Sequence, residues 1–142
     1  MDLRQITPEL SVSPQILPED LPALAEQGFR VVINNRPDAE VGDAESGAAM
    51  QAAAEAAGMD YRAIPFVPGQ ITQAMVDAQA EALALPGRKI AYCRSGNRST
   101  VLWALTQAGE APTDSLLQTA AEAGYDLSGI RSMIDALAAR KD

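Results

Sequence analysis

The single cysteine of the chain, Cys93, follows a short apolar run and precedes Arg94, Ser95, Gly96, Asn97, Arg98 and Ser99. Read as a strand ending in a turn that opens a helix, this segment aims several backbone N–H groups at one point, an arrangement that holds an anion. Gly96 permits the left-handed or crowded backbone that such a turn needs. A thiolate, not a thiol, is the nucleophile, and a helix amino terminus with arginine close by favours the thiolate form. Arg98, one short turn beyond Cys93, can bring its guanidinium back over the same pocket and hold an oxyanion by two parallel hydrogen bonds. Cys93 and Arg98 are therefore the expected catalytic pair, with Arg94, Ser95, Gly96, Asn97 and Ser99 as the substrate or anion cradle. Ser99 has two open roles, capping the helix or hydrogen-bonding the thiolate.

Composition narrows the chemistry further. The chain has no histidine, which removes the commonest general base, the Cys-His and Ser-His nucleophile pairs and the usual zinc and iron ligand sets. Catalysis must run on cysteine, arginine, carboxylates, hydroxyls and backbone amides, with no metal and no cofactor. A net charge of −8 disfavours nucleic acid and anionic membranes, and no basic cluster with interleaved aromatics reverses that locally. No apolar segment approaches the roughly 20 residues needed to cross a bilayer, and no secretory leader is recognisable. One cysteine cannot close an internal disulfide, so a reducing, cytoplasmic setting is expected. The expected partners are small: a sulfur donor and acceptor, or a phosphorylated substrate. A length of 142 residues suits one domain over residues 1–142 with its own core.

The elements that position Cys93 follow from periodicity and punctuation. Residues 3–6 and 10–12 are short β-type runs that frame a sheet edge. Asp20 is a candidate N-cap, with Pro22 in the first turn of a helix that Gly28 stops. Residues 29–33 form a β-branched strand that opens into the polar turn Asn34-Asn35-Arg36-Pro37-Asp38. Ala-rich residues 44–57 read as a helix and 61–66 as a strand; Thr72 caps a helix over 73–85, and Pro86-Gly87 ends it. Residues 88–92 are the strand that delivers Cys93, followed by helices over 99–108, 113–123 and 127–139. Tyr92 and Trp103 are expected in the core. Such alternation predicts a mostly parallel α/β sheet flanked by helices, with ligands at the carboxyl ends of its strands. Loops 34–38, 67–70 and 93–98 should meet on one rim. Asn34, Arg36 and Asp38 are accessory candidates there, although they can equally form a self-bonded turn. The acidic stretch 38–45 reads as a solvated loop that repels highly phosphorylated substrates.

The sequence Cys93-Arg94-Ser95-Gly96-Asn97-Arg98-Ser99 resembles the hallmark of the domain-of-unknown-function 442 family, the phosphatase-like domain of beta-lactamase-hydrolase-like proteins. The likeness extends to Val32-Ile33-Asn34-Asn35-Arg36-Pro37, to Ile64-Pro65 and to Trp103. It implies a dual-specificity/tyrosine-phosphatase-like fold and either phosphatase-like hydrolysis or sulfur transfer. Some members are fused to a persulfide-oxidising metallo-β-lactamase domain, for which this chain is expected to be too short.

Two departures from the tyrosine-phosphatase pattern bear on the reaction. Tyr92, not histidine, precedes Cys93, and the four residues between Cys93 and Arg98 are one fewer than that pattern has. The stretch Val67-Pro68-Gly69-Gln70, where a general-acid aspartate is usual, carries no carboxylate, so protonation of a leaving group lacks its donor. Asp38 is the reserve acid. A loop this short resembles that of rhodaneses, so the sequence favours sulfur transfer through a Cys93 persulfide. The alternative is phosphomonoester hydrolysis through a phosphocysteine, and a third reading is a non-catalytic anion-binding or redox-sensing module.

Overall fold

The computed structural model describes residues 1–141. Its centre is a five-stranded sheet made of β1 (Arg4–Thr7), β2 (Leu10–Ser13), β3 (Phe29–Asn34), β4 (Asp60–Ala63) and β5 (Arg88–Tyr92), in the order β1-β2-β5-β3-β4. β1 pairs antiparallel with β2 to form the edge ribbon, and the other pairings are parallel. Helices α1 (Leu21–Glu26) and α2 (Gly47–Ala56) belong with one face. Helices α3 (Gln73–Leu83), α4 (Asn97–Gln107), α5 (Thr113–Glu122) and α6 (Arg131–Arg140) belong with the other.

Parallel strands covered on both faces are apolar throughout, and the period-two alternation of side chains then decides which core each residue joins. Along β5, Ile90 and Tyr92 enter the α1/α2 core with Leu21, Leu24, Phe29 and Met50. Ala91 enters the opposite core with Val12, Val31, Ile33, Leu102 and Leu105. Helix α4 buries seven consecutive residues from Ser99 to Leu105, so it is the central helix of its layer rather than an amphipathic surface one. Trp103 and Tyr92 are core residues, 5% and 0% exposed, as expected. Among the described residues no helix is long and apolar enough to cross a membrane.

Several boundaries differ from the sequence expectation for local reasons. The residue 44–57 helix starts only at Gly47, because residues 38–45 fold into two 3-10 turns, Asp38–Glu40 and Asp43–Glu45, before Ser46 caps α2 by accepting from Ala49 N. β4 ends at Ala63. Beyond it Ile64 N and Phe66 N still donate to the carbonyls of Asn34 and Asn35 at 2.9 Å, while Pro65 has no N–H to offer. The last helix begins at Arg131, after a 3-10 turn over Ser128–Ile130. α4 begins at Asn97, two residues ahead of the expected start.

The carboxyl edge of the sheet is pinned by a buried amide pair. Asn35 Nδ2 donates to the Ile64 carbonyl at 3.0 Å and to Gln79 Oε1 at 2.9 Å, and Asn35 N donates to the Tyr92 carbonyl at 2.9 Å. Asn35 and Gln79 are both fully buried. One side chain from the β3 loop and one from α3 thus fix the ends of β3, β4 and β5 relative to one another.

Candidate active site

β5 delivers Cys93 to the sheet edge, where its N–H donates to the Ser13 carbonyl at 3.4 Å. The chain then turns through Arg94 and Ser95 to Gly96, which has φ +94° and stands at the N-cap of α4. A left-handed backbone is open to glycine at little cost, and it lets Gly96 N–H turn back to the Cys93 sulfur at 3.1 Å. Cys93 is wholly buried beneath this loop. The first residues of α4 contribute N–H groups that have no partner within the helix. One of them, Asn97 N, is taken by Ser95 Oγ at 3.3 Å.

Arg98 supplies the fixed charge. Its Nη1 donates to Glu40 Oε2 at 2.8 Å and to the Phe66 carbonyl at 2.7 Å, and its Nη2 donates to Glu40 Oε1 at 2.7 Å. Three of the five guanidinium N–H donors are thereby engaged. The two that remain, on Nε and on the adjacent corner of Nη2, lie side by side along one edge, the geometry for a bidentate oxyanion. Hydrogen bonding to Glu40 is the main influence holding Arg98 charged above its usual range; burial opposes it and the Cys93 sulfur reinforces it.

Glu40 is the residue that sequence reasoning missed. Placed in a stretch read as a solvated loop, it instead sits between two arginines. Arg36 donates from Nε to Glu40 Oε1 at 3.2 Å, from Nη2 to the Glu40 carbonyl at 3.2 Å and from Nη1 to Gln15 Oε1 at 3.1 Å. The Arg98 hydrogen bonds, followed by those of Arg36, hold the Glu40 carboxyl below the usual carboxylate range against the opposing effect of burial. The signal was present as an Arg36/Glu40 pair four apart, spanning the Pro37 turn.

The structure brings the three expected loops together. Arg36 and Glu40 from the β3 loop, Pro68 from the 67–70 loop, and Arg94 and Arg98 from the Cys93 loop line a cleft of about 400 Å³. Arg94, Ser95 and Asn97 are exposed, while Gly96 and Ser99 are buried. Asn34 forms the self-bonded turn, its Oδ1 accepting from Arg36 N at 2.9 Å while its Nδ2 donates to Tyr61 Oη at 3.0 Å. Asp38, the reserve acid, is directed to the start of α2, where Oδ1 accepts from Gly47 N at 2.8 Å. It lines a neighbouring cleft with Tyr61 and Pro65. Ser99 makes neither expected bond: its position is inside the first turn of α4, Gly96 is the cap, and its buried hydroxyl has no hydrogen-bond partner among the described residues. A roomier cleft of about 610 Å³ beside α5, lined by Leu117, Leu127 and Arg131, contains no cysteine and meets the loop through Tyr125.

With this geometry in view, the comparisons with known proteins are specific. Residues 2–110 match the family described as "Beta-lactamase hydrolase-like protein, phosphatase-like domain". A beta-lactamase hydrolase-like protein of Xylella fastidiosa (strain Temecula1) is 32% identical over 130 residues, which is 89% of this chain and 30% of that protein. The chain thus spans about a quarter to a third of the length of the curated relatives it matches. A phosphatase-like protein of Neisseria meningitidis has a crystal structure that superposes with a TM-score of 0.83 at 28% identity, covering 96% of this chain and 99% of that one. Tk-PTP in its active form shares the fold at a TM-score of 0.74 and 14% identity, covering 98% and 97% of the two chains. An α/β sheet of tyrosine-phosphatase type, a cysteine–arginine loop at its carboxyl edge and a match across most of its length place this chain in the phosphatase-like domain family of beta-lactamase hydrolase-like proteins.

Proposed function

We propose that the chain is a thiolate-dependent phosphatase acting through a Cys93 phosphocysteine on phosphomonoesters with acidic leaving groups. The observation that carries this reading is the pairing of Gly96 N–H on the Cys93 sulfur with an Arg98 guanidinium that is reinforced by the same sulfur and whose Nε–Nη2 edge is taken by no oxygen of the described residues. The loop amide stabilises negative charge on sulfur, and the arginine edge matches two phosphoryl oxygens. In the first step the thiolate attacks phosphorus and the ester P–O bond breaks, its electron pair leaving with the alcohol oxygen. Water then attacks phosphorus, the S–P bond breaks, and the thiolate is regenerated with release of inorganic phosphate.

The limit to acidic leaving groups follows from proton supply. Loop 67–70 carries no carboxylate, Asp38 is bound to the amino terminus of α2, and Glu40 is held ionised between two arginines. A leaving oxygen must therefore depart largely unprotonated, which aryl phosphates tolerate and alkyl phosphates do not. The family membership and the phosphatase-type fold support this order of readings over the sulfur transfer favoured on sequence.

Hydrolysis of p-nitrophenyl phosphate is the test. Wild type should turn it over, alkyl phosphates should be much poorer substrates, and Cys93→Ser should lose at least about 10³-fold in kcat, as expected for removal of a covalent nucleophile. No turnover with any aryl phosphate would refute the proposal. The short loop and the missing acid favour a second reading, transfer of sulfane sulfur. In that reaction Cys93 takes the outer sulfur of thiosulfate, releasing sulfite, and passes it to cyanide. Intact-mass measurement separates the two: a gain of about 32 Da on Cys93, removed by cyanide, marks the persulfide expected of a sulfur-carrying thiolate.

A further inference from the structure

Tyr125 lies in the turn after α5, beyond the 2–110 segment that matches the family, and nothing in the chemistry above uses it. Its hydroxyl donates to the Ser95 carbonyl at 3.0 Å. That carbonyl belongs to the same peptide unit as the Gly96 N–H, which donates to the Cys93 sulfur at 3.1 Å. A trans peptide is planar, and its C=O and N–H point in opposite directions. One peptide plane is thus held from both sides, by a phenol on its outer edge and the nucleophilic sulfur on its inner edge. If it rotated to present the carbonyl to Cys93, both hydrogen bonds would be lost and an oxygen lone pair would face the thiolate.

The phenol is itself fixed. Tyr125 N donates to the Ala120 carbonyl at 2.9 Å, closing α5. From the sheet edge, the Arg4 guanidinium lies 6.0 Å from the ring centroid and donates from Nη1 to the Ala123 carbonyl at 2.9 Å. A Cβ on Gly96 would collide with the Tyr125 hydroxyl. The glycine is therefore required twice, once for its φ of +94° and once to admit the phenol.

We infer that Tyr125 is a positioning residue for the anion loop, its hydroxyl orienting the Ser95–Gly96 peptide so that the amide N–H faces the Cys93 sulfur. It touches neither substrate nor the reacting atoms. The inference rests on Cys93 acting as a thiolate, but not on which substrate that thiolate attacks.

The test is the pH dependence of Cys93 alkylation by iodoacetamide, which reads one sulfur because the chain has one cysteine. Tyr125→Phe removes a single oxygen from a partly exposed ring, so the fold is retained, and a melting curve checks this. The variant should be alkylated about fivefold more slowly than wild type at pH 6.5, the worth of one oriented peptide hydrogen bond. The difference should shrink as pH rises, because the oriented amide stabilises charge on sulfur and does not open access to it. Superimposable profiles from two folded proteins would overturn the inference. So would a constant ratio at every pH, which reports access to sulfur rather than stabilisation of its charge. Absence of any aryl phosphate turnover, by contrast, would sink the proposed phosphatase reaction and leave this profile readable.

Discussion

Glu40→Gln isolates the contribution of a carboxylate engaged by two arginines. Glutamine keeps the shape and one acceptor oxygen but removes the charge that faces Arg98 through two hydrogen bonds of 2.8 and 2.7 Å and Arg36 through one of 3.2 Å. Two unit charges about 4 Å apart attract by about 4 kcal/mol at the effective dielectric of a protein rim. Desolvation and solvent screening offset most of that here, because Glu40 is 28% and Arg98 12% exposed. A net loss of about 1–2 kcal/mol is expected for this bidentate, two-arginine arrangement. For a chain of this size that lowers Tm by about 3–7 °C. The loss should depend on pH. Glu40's carboxyl is held below its usual range, mainly by Arg98, so its stabilisation is complete above the unfolded value of about 4.3 and disappears as pH falls through the lower folded value. Melting curves of both proteins at pH 7, 5 and 3 should show the full gap at the first two and a smaller one at the third. Aryl phosphate turnover should fall about tenfold at pH 7, because the free edge of Arg98 is no longer aimed. An equal gap at pH 7 and pH 3, or none at pH 7, would refute the electrostatic role assigned to Glu40.

Two further substitutions probe the frame around the loop. Gln79→Leu removes both hydrogen bonds of the buried amide pair, at 2.9 and 3.5 Å, while the Asn35 bond to the Ile64 carbonyl remains, and should cost about 1–3 kcal/mol in urea unfolding; an unchanged midpoint would mean that the pair contributes nothing. Ser99→Ala removes a buried hydroxyl that has no partner, so stability should be unchanged or rise by up to about 1 kcal/mol. A clear fall in Tm would show that the hydroxyl does have a partner, with the Cys93 thiolate the one to test next by alkylation.

How much of this was legible in one dimension varied with the range of the interaction. β5 was read residue for residue, because Pro86-Gly87 and the Cys93 turn punctuate both its ends. Thr72 was correctly placed as a cap, its Oγ1 accepting from Met75 N at 3.2 Å. The start of α4 was misplaced because a serine looks like a cap, whereas here a left-handed glycine without a side chain ends the loop and Ser99 falls inside the helix. Glu40 carried one local mark, its spacing of four from Arg36, but in a run of acidic residues that spacing does not reveal a partner arginine 58 residues away. Tyr125 was invisible for the same reason, since its bond to Ser95 spans 30 residues and joins a turn after α5 to the loop before α4. Local punctuation and periodicity reveal elements and the nucleophile they carry; contacts that close only after folding do not leave a local trace.

The distribution of charge constrains the substrate as firmly as the loop does. The chain carries −8 overall, yet the cleft beside Cys93 gathers Arg36, Arg94 and Arg98 around a single carboxylate. Arg36 and Arg98 are largely occupied in holding Glu40, so their charge is mostly balanced at short range; Arg94 is exposed and extends the cationic edge outward. An anion is attracted only once it is within about a Debye length of the rim, near 8–10 Å, and is repelled by the acidic surface beyond. Three engaged donors on Arg98 leave one edge, which fits one phosphoryl or sulfonate-like group and not an array of them. Under the proposed reaction, a small substrate with a single compact anionic head would satisfy both conditions, whereas a polyphosphorylated one would meet repulsion from the acidic surface and find only one clamp inside it.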